Sequence, residues 1–344
     1  MPTRPVRSGR TNVVVVGDSP TARGIRNRLR ASGADSTTGE SGADPVRFAG
    51  ARAVVLVGHT GDFARVTSRR AAERRGELVA GLEQDLADAA AAGVEHVVAI
   101  SSAMVNGAEP DRPVINDDEP RQPVVDDSYA GDLLTFEATI ERVASTLADV
   151  LVTVLRPAVL VGPDIDTLMT RHFEAPRVLT IRGARRGWQF AHVEDVADAV
   201  GVVVAAGLTG HLTLGALRDG EPDVLEPEEV TTIAGMRGID LPAASAFGTA
   251  ERLHRVGVLP APASDMSYAV YPWTVSASIL HDAGWSPSWS SEACLRALLA
   301  QIRGRVGVAG RRVGGRDAAA LGAAGAAVAL LGTAAIWKQA RGRR

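Results

Sequence analysis

The chain has 344 residues, of which 46% are hydrophobic and 22% charged, and its net charge is −3. That length supports one large domain or two modest ones with an ample core, and the charge balance argues against a nucleic-acid partner. The single cysteine, Cys294, excludes an internal disulfide framework and sits in the apolar stretch EACLRALLA as a core residue.

The start, MPTRPVRSGRTNVVVVG, has a four-valine run too short for the apolar core of a signal peptide, so a cytoplasmic catalytic region is expected. TNVVVVG, ending at Gly17, is a continuous apolar run that stops at glycine, which predicts a buried parallel strand entering a turn. TARGIRNRLRASG follows, with Ala22, Ile25 and Leu29 on one face and Gly33 as a stop, so a helix. ARAVVLVG, closing on Gly58, is a second buried strand, and an Ala-rich helix runs from about 71 to 92. GVEHVVAISS is a strand ending on Ser101 and Ser102. YAGDLLTFEATIERVAS is a helix headed by Tyr129, and DVLVTVLRP is a strand ending at Pro157. Strands alternating with helices predict an α/β, doubly wound parallel sheet, whose ligands sit beyond the carboxyl ends of the strands. Those ends carry Gly17, Gly58, Ser101, Ser102 and Pro157.

After Gly162-Pro163 the pattern loosens. WQFAHVEDVADAVGVVVAAG predicts a short strand and a helix with Asp195 near its start. GHLTLG is a strand, EPEEVTTIAGMRG a helix, and GWSPSWSSEACLRALLAQI a turn and a Ser-capped helix. RGRVGVAGRRVGGRD is a Gly/Arg-rich linker. From Ala318 to Trp337 the chain runs twenty residues without a charge, between basic flanks, which is long enough for a membrane anchor. Only five of those residues are Leu, Ile or Val, so an Ala-rich surface helix or a disordered tail is the competing reading. The seven histidines show no metal-ligand spacing, and Ser102 has no His and Asp arrangement for a hydrolase triad.

The order of landmarks resembles the NAD-dependent epimerase/dehydratase family, the extended branch of the short-chain dehydrogenase/reductases. VVVVGDS, AGVEHVVAISSAMVNG, YAGDLLTFE, VTVLRPAVLVGP, FAHVEDVADAV and GWSPSWSSEACLRALL carry the resemblance, over roughly residues 12 to 303. It implies a Rossmann-like dinucleotide-binding domain over 11–160, to which part of 176–206 returns, and a smaller substrate lobe made mainly of 161–303. The linker is then 304–317 and the candidate anchor 318–337. It implies NAD or NADP as cofactor, held by Gly17, Ser19, Gly58, Ser101, Tyr129 and Pro157. The substrate is a sugar-like or other small hydroxyl/carbonyl molecule, Ser102 and Tyr129 are the catalytic pair, and a homodimer forms through the two helices that pair in many relatives. No metal is implied. With the anchor, the protein would sit at the inner face of the cell membrane.

This sequence departs from the family's pattern in four places. The lysine four residues after the tyrosine is Leu133, and the next helical residues, Leu134, Thr135, Phe136 and Glu137, supply no cation. An unassisted phenol has a pKa near 10, so about one in a thousand is ionised at neutral pH. Pro20 and Arg23 occupy the second and third glycine positions of the cofactor turn, with Gly24 one residue late. The segment ASGADSTTGESGADPVRFAGA is short for the two strands and helix the family places there, and offers Asp35, Glu40 and Asp44 as ribose readers. The arginine that clamps a diphosphate, four residues before His192, is Trp188, with Arg185 and Arg186 nearby. Asp195 is expected to cap its helix and His192 to be a hydrogen-bonded wall residue. These departures support a second expectation: a catalytically impaired, membrane-tethered binding or regulatory protein of the same fold.

Overall fold

The computed structural model describes residues 12–33, 35–39, 45–64, 70–123, 127–147, 149–175, 177–256, 259, 261–303, 306–308 and 311–313. The expected anchor, 318–337, and most of the linker lie outside these residues. Among the described residues no helix is long and apolar enough to cross a membrane.

Strands β1 (Asn12–Val16), β2 (Asp35–Gly39), β3 (Ala53–Val57), β4 (His96–Ile100) and β5 (Leu151–Pro157) join β9 (Gly210–Leu214) in one six-stranded sheet. Its order is β2-β1-β3-β4-β5-β9 and every pairing is parallel. The apolar runs reflect burial on both faces. Val13 and Val15 face one core with Val55, Val98 and Ile100, whereas Val14 and Val16 face another with Val54, Leu56 and Val97. The first core is covered by α1 (Pro20–Ala31), the second by α2 (Ala71–Ala91) and α3 (Tyr129–Ala144).

The short segment after α1 forms one strand, β2, paired with β1 from Asn12↔Asp35 to Val16↔Gly39. Its sequence, DSTTG, gave no apolar signal because β2 is an edge strand with a single neighbour in the sheet. Asp35 therefore lies at the amino end of its strand, away from the Gly17 turn. Glu40 and Asp44 lie outside the described residues.

Between β5 and β9 the chain leaves the sheet through β6 (Val159–Val161), α4 (Leu168–His172), β7 (Arg177–Ile181) and β8 (Phe190–His192), then returns along α5 (Val193–Ala206). β6 pairs with β8, and β7 pairs with Arg237–Leu241. A third core fills this lobe with Phe173, Trp188, Phe190, Tyr268 and Trp273, and reaches the main domain at Met104, Ala130 and Leu133. α5 packs on α1 at Gly24, where an added Cβ would lie 2.7 Å from Val193 Cγ2, so the displaced glycine serves close helix packing. The helix-cap expectation is corrected. His192 is the N-cap of α5, its Nδ1 accepting from Glu194 N at 3.3 Å. Asp195 instead accepts from Ser288 N and Trp289 N at 2.7 and 3.2 Å, tying the helix to the Trp285–Ser290 turn.

Candidate functional site

The carboxyl ends of β1 and β3 open into a cleft of about 330 Å³. Gly17, Ser19, Gly58, Thr60, Arg74, Tyr129 and Asp132 are among the residues that line it. Gly17 ends β1 at φ 82° with open space around its Cα. Gly58 ends β3 against the Phe136 ring, which an added Cβ would meet at 2.6 Å. Gly58→Ala should therefore cost about 1–3 kcal/mol through overpacking. A thermal melt checks this, and an unchanged midpoint would show that Phe136 yields freely.

The first turn of α1 is closed on itself. Thr21 N donates to Thr60 O at 3.2 Å, Ala22 N to Ser19 Oγ at 3.2 Å, and Arg23 N to Ser19 O at 2.9 Å, while Pro20 has no N–H. Thr21 N and Ala22 N are donors that a helix N-terminus ordinarily offers to an anion, and Arg23 N makes the first i→i−4 bond of the helix. Neither turn arginine is a solvated bystander: Arg23 Nη1 donates to Asp18 O at 2.6 Å, and Arg26 donates to Gly17 O at 3.2 Å and to Asp18 Oδ1 at 2.8 Å. The turn is braced by its own side chains.

Tyr129 heads α3 behind its N-cap Ser128, whose hydroxyl accepts from Gly131 N at 3.2 Å. Its backbone N–H donates to Asp265 Oδ2 at 3.1 Å. The phenol is half-buried, with its Oη 2.7 Å from His59 Nδ1. Burial pushes the phenol's pKa up, and Asp132 and Asp265 add to that, against the opposing Thr60 backbone hydrogen bond. His59 is 3% exposed, and burial pushes its imidazole down to about 4. At neutral pH the pair is therefore a phenol and a neutral imidazole.

Tyr129, Asp132 and Phe136 line the cleft, while Leu133 points the other way and is 1% exposed in the lobe core. The cations absent from the first turns of α3 come from α2. Arg74 Nε and Arg75 Nε hold the two oxygens of Asp132 at 2.9 and 2.8 Å. They neutralise a carboxylate beside the tyrosine. Sequence spacing on one helix could not show this, because their partner stands 58 and 57 residues away.

Ser102 is fully buried. Its hydroxyl accepts from Met104 N at 3.3 Å and donates weakly to Pro157 O at 3.4 Å. Among the described residues no hydrogen bond joins it to Tyr129. Ser101 is also fully buried, its Oγ without a hydrogen-bond partner, and neither it nor Pro157 lines the cleft. On the lobe side the two neighbouring arginines differ. Arg185 is exposed and paired with Glu226 at 2.9 Å. Arg186 is 3% exposed, lies 4.1 Å from the Trp188 ring centroid and 5.5 Å from that of Trp273, and its Nε and Nη2 have no hydrogen-bond partner. Burial pushes its guanidinium down to about 9.

A doubly wound parallel sheet with a cleft at its strand tips defines an α/β protein of the Rossmann type. Residues 12–214, more than half of the chain, match the NAD dependent epimerase/dehydratase family, and the protein belongs to it. The uncharacterized proteins Rv0501 of Mycobacterium tuberculosis and Mb0513 of Mycobacterium bovis are each 30% identical over 127 residues, which is 37% of this chain and 34% of theirs. The chain thus spans about a third of the length of the curated relatives it matches. Among solved structures, the UDP-N-acetylglucosamine 4-epimerase from Bacillus cereus is 13% identical with TM-score 0.58, covering 86% of this chain and 100% of its own. The UDP-glucose-4-epimerase from Stenotrophomonas maltophila, with bound NAD and formylated UDP-arabinopyranose, is 15% identical with TM-score 0.60, over 86% and 98%. RMD from Pseudomonas aeruginosa, complexed with NADPH, is 18% identical with TM-score 0.58, over 85% and 98%. Likeness at these identities concerns the fold.

Proposed function

We propose that the protein binds NAD or NADP in the cleft at Gly17 and acts as an oxidoreductase or isomerase on a sugar-like or other small hydroxyl/carbonyl substrate. The observation that carries this reading is the placement of the Tyr129 hydroxyl in the cleft that also holds the Gly17 turn, on the helix where the family carries its catalytic tyrosine. Solved structures of the same fold hold NAD or NADPH, which supports the cofactor class.

The residues present fit a dinucleotide in part. Gly17 leaves its backbone open at the tip of β1, but the first turn of α1 keeps Thr21 N and Ala22 N for Thr60 and Ser19. The pyrophosphate would therefore rest on the Gly17–Ser19 turn rather than on the helix end. A bound nicotinamide supplies a hydride acceptor or donor. The chain's own part is to hold the substrate oxygen against the Tyr129 hydroxyl, which burial keeps as the neutral phenol. Ser102, fully buried and outside the cleft lining, does not share that oxygen.

Tyr129→Phe should lower turnover by about 10²–10⁴. The measurement is nicotinamide absorbance with a panel of hydroxyl and carbonyl substrates, nucleotide sugars among them. Equal turnover in the variant would remove Tyr129 from the chemistry.

A second reading is favoured by the closed turn of α1 and by Leu133 in the core: a catalytically impaired binding or regulatory protein of the same fold. The tether it would use, residues 318–337, lies outside the described residues.

A further inference from the structure

We propose that His59 is the proton partner of Tyr129, doing from β3 what no residue of α3 does. The inference rests on the redox reading above and deepens it. Gly58 N and His59 N both donate to Ile100 O, at 2.9 and 3.0 Å, which pins the start of this turn to the tip of β4. From there the imidazole reaches Tyr129 Oη at 2.7 Å, with the two rings tilted at 48° and their centroids 5.5 Å apart. The charged groups around the pair are acidic or already compensated: Asp265 on the Tyr129 N–H, and Asp132 held by Arg74 and Arg75. Among the described residues, the arginines beside Tyr129, Arg74 and Arg75, are engaged by the Asp132 carboxylate. A neutral imidazole offers a different route, because it accepts the phenolic proton and no phenolate has to form.

In the direction from alcohol to carbonyl, the substrate O–H bond breaks and its proton passes to Tyr129 Oη, as the Tyr129 O–H proton passes to His59 Nδ1. A bound oxidised nicotinamide would supply the acceptor for the hydride, the C–H electron pair with its hydrogen, and the imidazolium would afterwards return its proton to solvent. The reverse direction begins from protonated His59. One proton, one hydride and the two electrons are accounted for, and Tyr129 ends as the phenol it began.

The test compares wild-type full chain with Tyr129→Phe and His59→Asn. Asparagine puts an amide near the Nδ1 position and preserves a hydrogen-bonding group, but cannot take up a proton. Imidazole ¹⁵N NMR without any dinucleotide should show His59 neutral at pH 7, with its Nδ1 resonance displaced in Tyr129→Phe. An unmoved resonance would overturn the pairing. With nicotinamide and an active substrate from the panel, His59→Asn should lose about 10²-fold or more in kcat with KM and melting midpoint near wild type. Retention of kcat would show that His59 only positions the ring, and would overturn the proton transfer. Displaced resonances together with no turnover in wild type would sink the redox reading and this step with it, leaving the hydrogen bond standing.

Discussion

Leu133→Lys is expected to unfold the protein, not to restore the cation of the family's catalytic helix. Spacing alone suggests a rescue, since position 133 is where the lysine stands in the family. The structure turns that position into the lobe core, where Leu133 is 1% exposed in the cluster that contains Met104, Phe173 and Trp188. Removing the leucine costs about 2–5 kcal/mol, and an unpaired buried ammonium costs several more. Together these match the whole stability of an ordinary domain, about 5–15 kcal/mol. Leu133→Met, which conserves volume, should cost less than about 1.5 kcal/mol. Circular dichroism and urea titration of both variants decide the matter. A Leu133→Lys protein that folds at wild-type stability and gains nicotinamide turnover would show that this face of α3 opens to the cleft.

Acid should weaken the fold well above the usual carboxylate range. His59, His96 and His172 are each pushed by burial from 6.5 to about 4. Between those values the unfolded chain binds protons that the folded one refuses, so stability falls as pH falls. Each histidine contributes about 2 kcal/mol of this loss by pH 5. Asp195 works in the opposite direction. Burial raises its carboxyl to about 6, so acid relieves a buried charge and returns about 1 kcal/mol by pH 5. The raised carboxyl of Asp85 joins Asp195, and the lowered imidazole of His192 joins the other histidines. The histidines win, and urea unfolding should give a stability about 5 kcal/mol lower at pH 5 than at pH 7.5. Equal midpoints at the two pH values would mean that these imidazoles are solvated in the folded state.

The main sheet was legible because its strands are buried on both faces and therefore read as unbroken apolar runs: NVVVV, AVVLV and HVVAI. DSTTG was not legible, since an edge strand is stabilised by backbone pairing with one neighbour and needs no such run. The cleft was legible at its fixed points, Gly17, Gly58 and Tyr129, because strand-to-helix turns carry glycine and a helix start carries its cap. What was missed depends on contacts between distant segments. His59 meets a tyrosine 70 residues away, and its one sequence signal was a titratable side chain just past a strand's terminal glycine. The exchange of roles between His192 and Asp195 is of the same kind. Both stand at the helix start, and only the Trp285–Ser290 turn, folded against α5, decides which of them caps it.

Purified full-length chain should be titrated with NADH and NADPH, following nicotinamide fluorescence, beside Gly17→Val. The valine is strained at φ 82° and fills the turn where the backbone must stay open. Saturable binding of at least one dinucleotide at micromolar concentration, weakened about tenfold or more in Gly17→Val, is the predicted result. No binding of either dinucleotide at millimolar concentration, in a protein that melts cooperatively, would contradict it and leave the ligand-binding or regulatory reading in its place.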